Sequence, residues 1–310
     1  AFYHQSTLDL LQGLSCSVGL RYDYEHARCD FSKVQQPLNG NGETKSLEQF
    51  NRSLHFGQFT PRFSMQYLSS HNQLFYASVS KGYKAGGFNV SFLNNDDYLY
   101  SPEYNWNYEI GTKLSFLNNR LSADLSLFYI DWRNQQITNT IPTVGNVIRN
   151  AGRSRNKGIE ASFQARPTKS WMMYMNYGYT DARFVHYQKE ERGILKDYEG
   201  NYLPMVPRHT FSLTTGYSFY DICSWIDRLT LNAGVSVTGP IYWYEDNQAK
   251  QSPYALVNLR ISINKGCFTW EAWSKNLTNT DYLSYYFVTS KAYAQKGKPI
   301  TLGTSVSISL

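Results

Sequence analysis

Aromatic rings gather at Tyr98, Tyr100, Tyr104 and Trp106, again at Tyr242, Trp243 and Tyr244, and again at Tyr285 and Tyr286. Arg149, Arg153, Arg155 and Lys157 make the densest cationic stretch. Rings offer a large contact area at low entropy cost and stack on planar groups, while guanidinium groups give charge-assisted hydrogen bonds to anions. Together they suit non-covalent recognition of a planar, anionic ligand. The same rings would also serve as anchors at a membrane–water interface, and the same cations as contacts for lipid phosphates.

Groups for covalent or metal chemistry are not assembled in the same way. His4, His26, His55, His71, His186 and His209 are isolated, and the four cysteines include no C-x-x-C pair. Neither pattern has metal-ligand spacing. No serine is paired with a histidine as a hydrolase on a strand face would require. The expectation is therefore no catalytic residue, no metal and no cofactor. The pairing of Cys16 and Cys29 is left open by the sequence; Cys223 and Cys267 fall in segments read as short turns on one side, where a disulfide and two free thiols both fit.

The elements that would hold these residues are strands. The 310 residues include 26 Tyr, 17 Phe and 7 Trp, an aromatic share of 16% that suits strands and membrane interfaces. No run of about 18 uncharged apolar residues occurs, and the mean hydropathy is −0.49. A membrane-spanning structure would then be a barrel, whose strands alternate lipid-facing and lumen-facing residues and so average to polar. The net charge of +6 is spread without a long basic block, which reads as solvated surface and gives no reason to expect nucleic acid as a partner. Ala1 to Leu20 lacks the basic region, apolar run and small-residue site of a leader, so the chain reads as mature or truncated.

About twelve strands are expected, near 12–27, 53–68, 73–85, 102–117, 120–133, 154–166, 171–184, 208–220, 229–240, 254–264, 267–277 and 300–310. Very short links alternate with long polar ones. Outer-membrane barrels have short periplasmic turns and long extracellular loops, so Asn118-Asn119, Pro167 to Ser170 and Lys265-Gly266 read as periplasmic. The fold class is all-β, an antiparallel transmembrane β-barrel in a single domain over 1–310.

A two-residue turn fixes which residues face each other. With Asn118-Asn119 as the turn, Phe116 meets Leu121, Leu114 meets Ala123 and Ile110 meets Leu127 on a lipid face, while Lys113 meets Asp124 on the other. With Lys265-Gly266 as the turn, Ile263 meets Phe268, Ile261 meets Trp270 and Leu259 meets Ala272, and Arg260 meets Glu271 opposite. Both charge pairs point to the lumen, where water keeps ionisation cheap; an outward Lys or Arg would cost about 2–4 kcal/mol at midplane. In the last strand Leu302, Val306, Ile308 and Leu310 share one parity, and Gly303, Ser305, Ser307 and Ser309 the other.

These segments resemble the TonB-dependent outer-membrane receptors, from about Arg21 onward. The most distinctive is Phe75-Tyr76-Ala77-Ser78-Val79-Ser80-Lys81-Gly82-Tyr83-Lys84-Ala85-Gly86-Gly87-Phe88-Asn89. It is similar to the family's strand ending in an aromatic, basic and glycine-rich extracellular turn. Pro102-Glu103 with Tyr108-Glu109-Ile110-Gly111-Thr112-Lys113, then Phe128-Tyr129-Ile130-Asp131-Trp132, resembles the paired strands that follow. Lys157-Gly158-Ile159-Glu160, Val206-Pro207-Arg208-His209, and Asn276-Leu277-Thr278-Asn279 with Tyr282 resemble later strand starts and ends in the family's order. Thr301-x-Gly303-x-x-Val306-x-Ile308 resembles the terminal signal for the barrel-assembly machinery, although this chain ends in Leu310 where the family usually ends in an aromatic residue.

The resemblance implies a roughly 22-stranded barrel around a plug, so that this chain is the carboxy-terminal part, with the plug, the segment contacting TonB and the first strands lying elsewhere. It implies outer-membrane localisation, partnership with the TonB complex, the assembly machinery, outer-membrane lipid and lipopolysaccharide, and import of a ferric siderophore bound by the aromatic and cationic loop residues. Haem and cobalamin uptake are alternatives within the family; the haem receptors' Asn-Pro-Asn-Leu motif is absent before Glu109. Outside it, the alternatives are a passive porin or autotransporter pore and a self-contained twelve-stranded barrel enzyme.

Overall fold

The computed structural model describes residues 1–36, 43–92, 95–141, 144–150, 152–191, 194–288 and 291–309. Its framework is one 14-stranded antiparallel sheet. The strands are β1 (Phe2–Leu11), β2 (Leu14–Gln35), β3 (Lys45–Phe59), β4 (Arg62–Leu68), β5 (Leu74–Lys84), β6 (Glu103–Phe116) and β7 (Leu121–Arg133). They continue with β8 (Arg153–Ala165), β9 (Trp171–His186), β10 (His209–Cys223), β11 (Ile226–Thr238), β12 (Tyr254–Lys265), β13 (Phe268–Lys275) and β14 (Thr301–Ile308).

Strands pair with their neighbours in sequence, as hairpin-connected strands do, except that β3 and β4 both pair with β2. Phe59 opposes Tyr22 and Arg62 opposes Gly19, so β3 and β4 are one wall strand interrupted at Thr60-Pro61 without a change of register. Proline has no N–H to give the ladder, which accounts for the interruption inside the expected strand 53–68. The other difference from the expected twelve is β1, whose residues alternate poorly in polarity. The first hairpin is also longer than expected, since β2 runs on to Gln35.

The Asn118-Asn119 hairpin has the expected register: Phe116 opposes Leu121, Ile110 opposes Leu127 and Lys113 opposes Asp124. Leu117, Asn118 and Asn119 all have positive φ, a conformation that asparagine tolerates well. Lys113 and Asp124 are both exposed and form no ion pair among the described residues. The β12–β13 register differs from expectation. Lys265 opposes Phe268, so the turn is Gly266-Cys267, and Ile263 meets Trp270, Ile261 meets Ala272 and Leu259 meets Ser274. Gly266 takes the positive φ that this tight turn requires. The displacement is even, so no side chain changes face; Arg260 reaches Glu271 diagonally at 3.9 Å instead of directly opposing it.

Directly opposed residues share a face, which sets Val18, Phe63, Val79, Tyr108 and Tyr129 in one outward row and Tyr217, Leu231 and Ile261 in another, with Val306 opposite outward Trp270. Ile110 is 59% and Leu127 47% exposed, as lipid-facing residues are. The opposite face is polar, with Tyr76 donating to Glu109 at 2.6 Å and Asn176 to Ser212 at 3.2 Å. Phe116, Trp171, Tyr217, Phe268 and Trp270 mark the short-turn end as an aromatic girdle. Cys223 and Cys267 lie exposed at that end, and all four cysteines are free thiols.

Candidate ligand-binding loops

The long connections are built as small hairpins that lock on one another. Gly87–Phe88 pairs with Leu99–Tyr100, and Gln136–Ile141 pairs with Gly145–Asn150. Asn89 joins the two: its Nδ2 donates to the carbonyls of Asp97 and Ile148, both at 2.8 Å, and its Oδ1 accepts the Ile148 N–H at 2.8 Å. Beside it Arg149 is bidentate to the buried carboxylate of Asp97, Nε to Oδ1 and Nη2 to Oδ2 at 2.7 Å each. The hydrogen bond to Asp97 raises the pKa of the Arg149 guanidinium, so Arg149 acts as a charged strut between loops. Asn150 ties the base of the unit to Ser101 and Asn134, and Glu103 accepts the Gln136 N–H at 2.6 Å.

Tyr98, at the end of the 3₁₀ turn Asn95–Tyr98, is buried with its ring edge-on to Phe92 at 4.2 Å and 4.9 Å from Phe50 on β3. Tyr100 lies in the short strand opposite Gly87. Tyr104 and Trp106, named with the loop candidates though inside the expected strand 102–117, lie on β6. Tyr104 accepts a hydrogen bond from Gln58 at 3.0 Å and carries Lys81 over its ring at 5.0 Å. Arg153, Arg155 and Lys157 are likewise on a wall strand, β8, in the same parity as outward Ile159 and Phe163. Register therefore separates them from Arg149.

A second unit closes around Ala182, Phe184, Tyr187, Tyr198 and Leu203, which form a small apolar core with Ile137 and Val206 packed on it. Asn247 grips the backbone of Tyr202, accepting its N–H at 2.7 Å and donating to its carbonyl at 2.9 Å. Tyr202 stacks on Tyr242 with ring centres 5.4 Å apart and is flanked by Arg183 at 3.9 Å and Arg208 at 4.7 Å. Tyr242 is thus held as a packing partner.

The last two aromatic groups do meet. Trp243 lies 6.3 Å from Tyr285 and 6.5 Å from Tyr286, and Tyr244 lies edge-on to Tyr286 at 6.2 Å. The Tyr244 hydroxyl accepts the Val288 N–H at 2.6 Å, and burial pushes its phenol upward, keeping it neutral. Trp243 is buried, yet its indole N–H has no partner among the described residues. Four aromatic side chains, three of them phenols, and an unused donor offer stacking and hydrogen bonding to a planar ligand.

Sequence reasoning missed Asn89, Asp97, Tyr202 and Asn247. Asn89 closes the Gly86-Gly87-Phe88-Asn89 segment, so the motif was a signal, but its partner is 59 residues away. A serine–histidine neighbour was missed too: His4 Nε2 lies 2.7 Å from Ser6 Oγ on the outward row of β1. Among the described residues no carboxylate orients His4, so the pair lacks the third member of a hydrolase relay.

Gly303 directly opposes Trp273, whose ring occupies the space a Cβ would need. Val306 opposes Trp270 and Ile308 opposes Phe268, so the resembled assembly segment is the outward edge row of β14. Leu310 lies outside the described residues.

Residues 1–279 match the model of the TonB dependent receptor-like beta-barrel. The chain belongs to this family. It is 26% identical over 241 residues to a probable TonB-dependent siderophore receptor PiuA of Acinetobacter baumannii, covering 72% of this chain and 30% of that protein. It is 24% identical over 321 residues to the pesticin receptor of Yersinia pestis, covering 99% of this chain and 43% of the receptor. Among solved structures, the ferric yersiniabactin uptake receptor FyuA of Yersinia pestis superposes with a TM-score of 0.82 at 21% identity over 99% of this chain and 44% of its own. The Escherichia coli ferric-catecholate import receptor Fiu superposes with 0.75 at 18% identity, over 99% and 44%. The receptor-barrel chain thus spans under half the length of these relatives. Membership places it in the outer membrane and sets aside the readings as a barrel enzyme, a passive porin or an autotransporter.

Proposed function

We propose that this chain supplies the carboxy-terminal wall and outer loops of a TonB-dependent importer of a ferric siderophore. In this reading the plug, the segment contacting the TonB complex and the remaining wall strands come from sequence outside the chain. The observation that carries it is the convergence of Trp243, Tyr244, Tyr285 and Tyr286 at the long-loop end, with the Trp243 donor unused. Support also comes from relatives named for siderophore, ferric-yersiniabactin and ferric-catecholate uptake. Arg149 contributes by bracing the loops, and lumenal Lys113, Asp124, Arg260 and Glu271 keep the inner wall hydrated.

Import needs no covalent step from these residues. Loop rings capture the ferric complex, and work delivered through TonB opens a path. The test is growth of an iron-starved strain carrying the intact gene, on a panel of ferric siderophores with haem and cobalamin as comparators. Growth on at least one siderophore that disappears without TonB is expected; growth on haem or cobalamin alone, or on nothing, overturns the proposal.

A further inference from the structure

At the short-turn end β10 outruns its neighbour. β9 stops against it with Trp171 opposite Tyr217, and the Ser218 N–H gives a last bond to the Ser170 carbonyl at 2.8 Å. β10 continues to Cys223. Residues 219–223 have β11 along one side, with Tyr220 opposite Arg228 and Cys223 opposite Ile226, and no ladder partner along the other side among the described residues. Asp221 takes a positive φ of 51° where the register shifts, as at a bulge. The hairpin tip is apolar and bare, with Ile222 45% and Trp225 83% exposed. An open edge of this kind is a template for another strand.

Beside that edge lies a hollow of about 570 Å³, lined by Arg120, Arg166, Lys169 and Arg228 together with Ser218 and Tyr220. Ser218 and Tyr220 alternate with outward Tyr217 and Phe219, so the hollow is on the lumenal side. Its cations come from the β6–β7 turn, the β8–β9 turn and β11, and the Arg166 N–H bound to the Arg120 carbonyl at 2.7 Å holds the two turns together. No carboxylate lines the hollow, and none of the four cations has an ion-pair partner among the described residues. Arg228 donates Nε to Asn264 at 3.1 Å, while the adjacent Asp227 carboxylate is taken by Lys265 at 2.7 Å and the Gly266 N–H at 2.8 Å. Such a cluster selects an anionic partner.

The edge and the hollow together specify the form of that partner. A strand added to residues 219–223 would lie under the β8–β9 turn, its side chains alternating between the cationic hollow and the apolar outer side. A small free anion would use the cations and leave the edge open. We propose that the β10 edge and the adjoining hollow dock an extended segment of a periplasmic protein in which acidic residues alternate with apolar ones, its carboxylates on Arg120, Arg166, Lys169 and Arg228. The added strand lies in the plane of the wall and past the girdle residues Trp171 and Tyr217, where a periplasmic chain reaches it without entering the lumen. The site rests on the short-turn end facing the periplasm, and is independent of what the outer loops bind.

The test titrates the intact receptor in nanodiscs with a fluorescent peptide of alternating Glu and Val, its Gln-for-Glu counterpart, and a version interrupted by Pro that cannot pair as a strand. The acidic peptide should bind, and the other two should bind roughly tenfold more weakly or less. The Arg166→Gln/Lys169→Gln pair should weaken the acidic peptide roughly tenfold, and Lys113→Gln, outside the hollow, should leave it unchanged. Heat-modifiable migration reports folding; if the pair variant misfolds, the three-peptide comparison on wild type decides. In cells, a photo-crosslinking residue at Ile222 should give an adduct heavier than the receptor, with a lower yield in the folded pair variant. Equal binding of the Gln or Pro peptide, unchanged affinity in the folded pair variant, or an adduct confined to the receptor's own sequence each overturns the proposal.

Discussion

Asp97 and Arg149 face each other in a bidentate ion pair that spans two loops, with the carboxylate almost wholly buried and the guanidinium partly open to water. Removing the cation takes the bidentate partner from a buried carboxylate, whereas the wall strands do not depend on it. Arg149→Ala should loosen residues 87–100 by on the order of 2–3 kcal/mol, read as faster amide exchange there, with unchanged exchange in β6–β9. Arg149→Lys keeps the charge but cannot keep both bonds, so it should recover only part of the protection.

Gly303 has no room for a side chain because Trp273 lies over it. Gly303→Leu should displace that ring and weaken the β13–β14 edge by about 1–3 kcal/mol, lowering the folded fraction on heat-modifiable gels. Adding Trp273→Ala should restore much of the loss. A double variant no better than Gly303→Leu alone would show that the ring is not the obstacle.

Such pairings were legible in the sequence to the extent that turns announced themselves. Asn118-Asn119 identified its hairpin, and from it the whole ladder from Phe116–Leu121 to Tyr104–Arg133 follows. At β12–β13 the turn is Gly266-Cys267, one residue on from the expected Lys265-Gly266. The faces survived that error only because the displacement was even. Parity also held the answer for Arg153, Arg155 and Lys157, which follow Arg149 closely in sequence but share the parity of outward-facing Ile159 and Phe163 on β8. The loop unit was out of reach: nothing local to Asn89 specifies Ile148, since that contact depends on two hairpins folding back over the rim.

Trp243 holds a buried indole N–H without a partner, next to Tyr285 and Tyr286. If this group captures the ferric ligand, Trp243→Ala should weaken siderophore binding by roughly 10- to 100-fold, as anchors in aromatic clusters do, and Trp243→Phe should fall between. Tyr242→Phe should leave binding near wild type, because Tyr242 is stacked on Tyr202. The readout is equilibrium binding of whichever siderophore supports growth.

Burial raises the Tyr244 phenol above its ordinary value near 10. An unfolded loop would ionise this phenol first, so Tyr244 stabilises the folded loop fully below about pH 10 and progressively less as pH rises toward the raised value. Absorbance of tyrosinate against pH should contain a late component whose amplitude falls by one phenol in Tyr244→Phe. Titration of all phenols at the ordinary value would contradict the burial.

Leu125 and Asp124 are neighbours in β7 and point to opposite sides of the wall, Leu125 opposite Thr112 and Asp124 opposite Lys113. An arginine meets hydrocarbon at one position and lumenal water at the other. Leu125→Arg should cost about 2–4 kcal/mol if the position is near midplane, while Asp124→Arg, which brings like charge to Lys113, should cost under about 1 kcal/mol. Denaturant unfolding of the receptor in lipid vesicles measures both. Equal costs would mean that the two positions meet the same solvent, and the outward apolar row would then not be a lipid-facing surface; a large gap in the stated order ties the alternation read along β7 to the membrane itself.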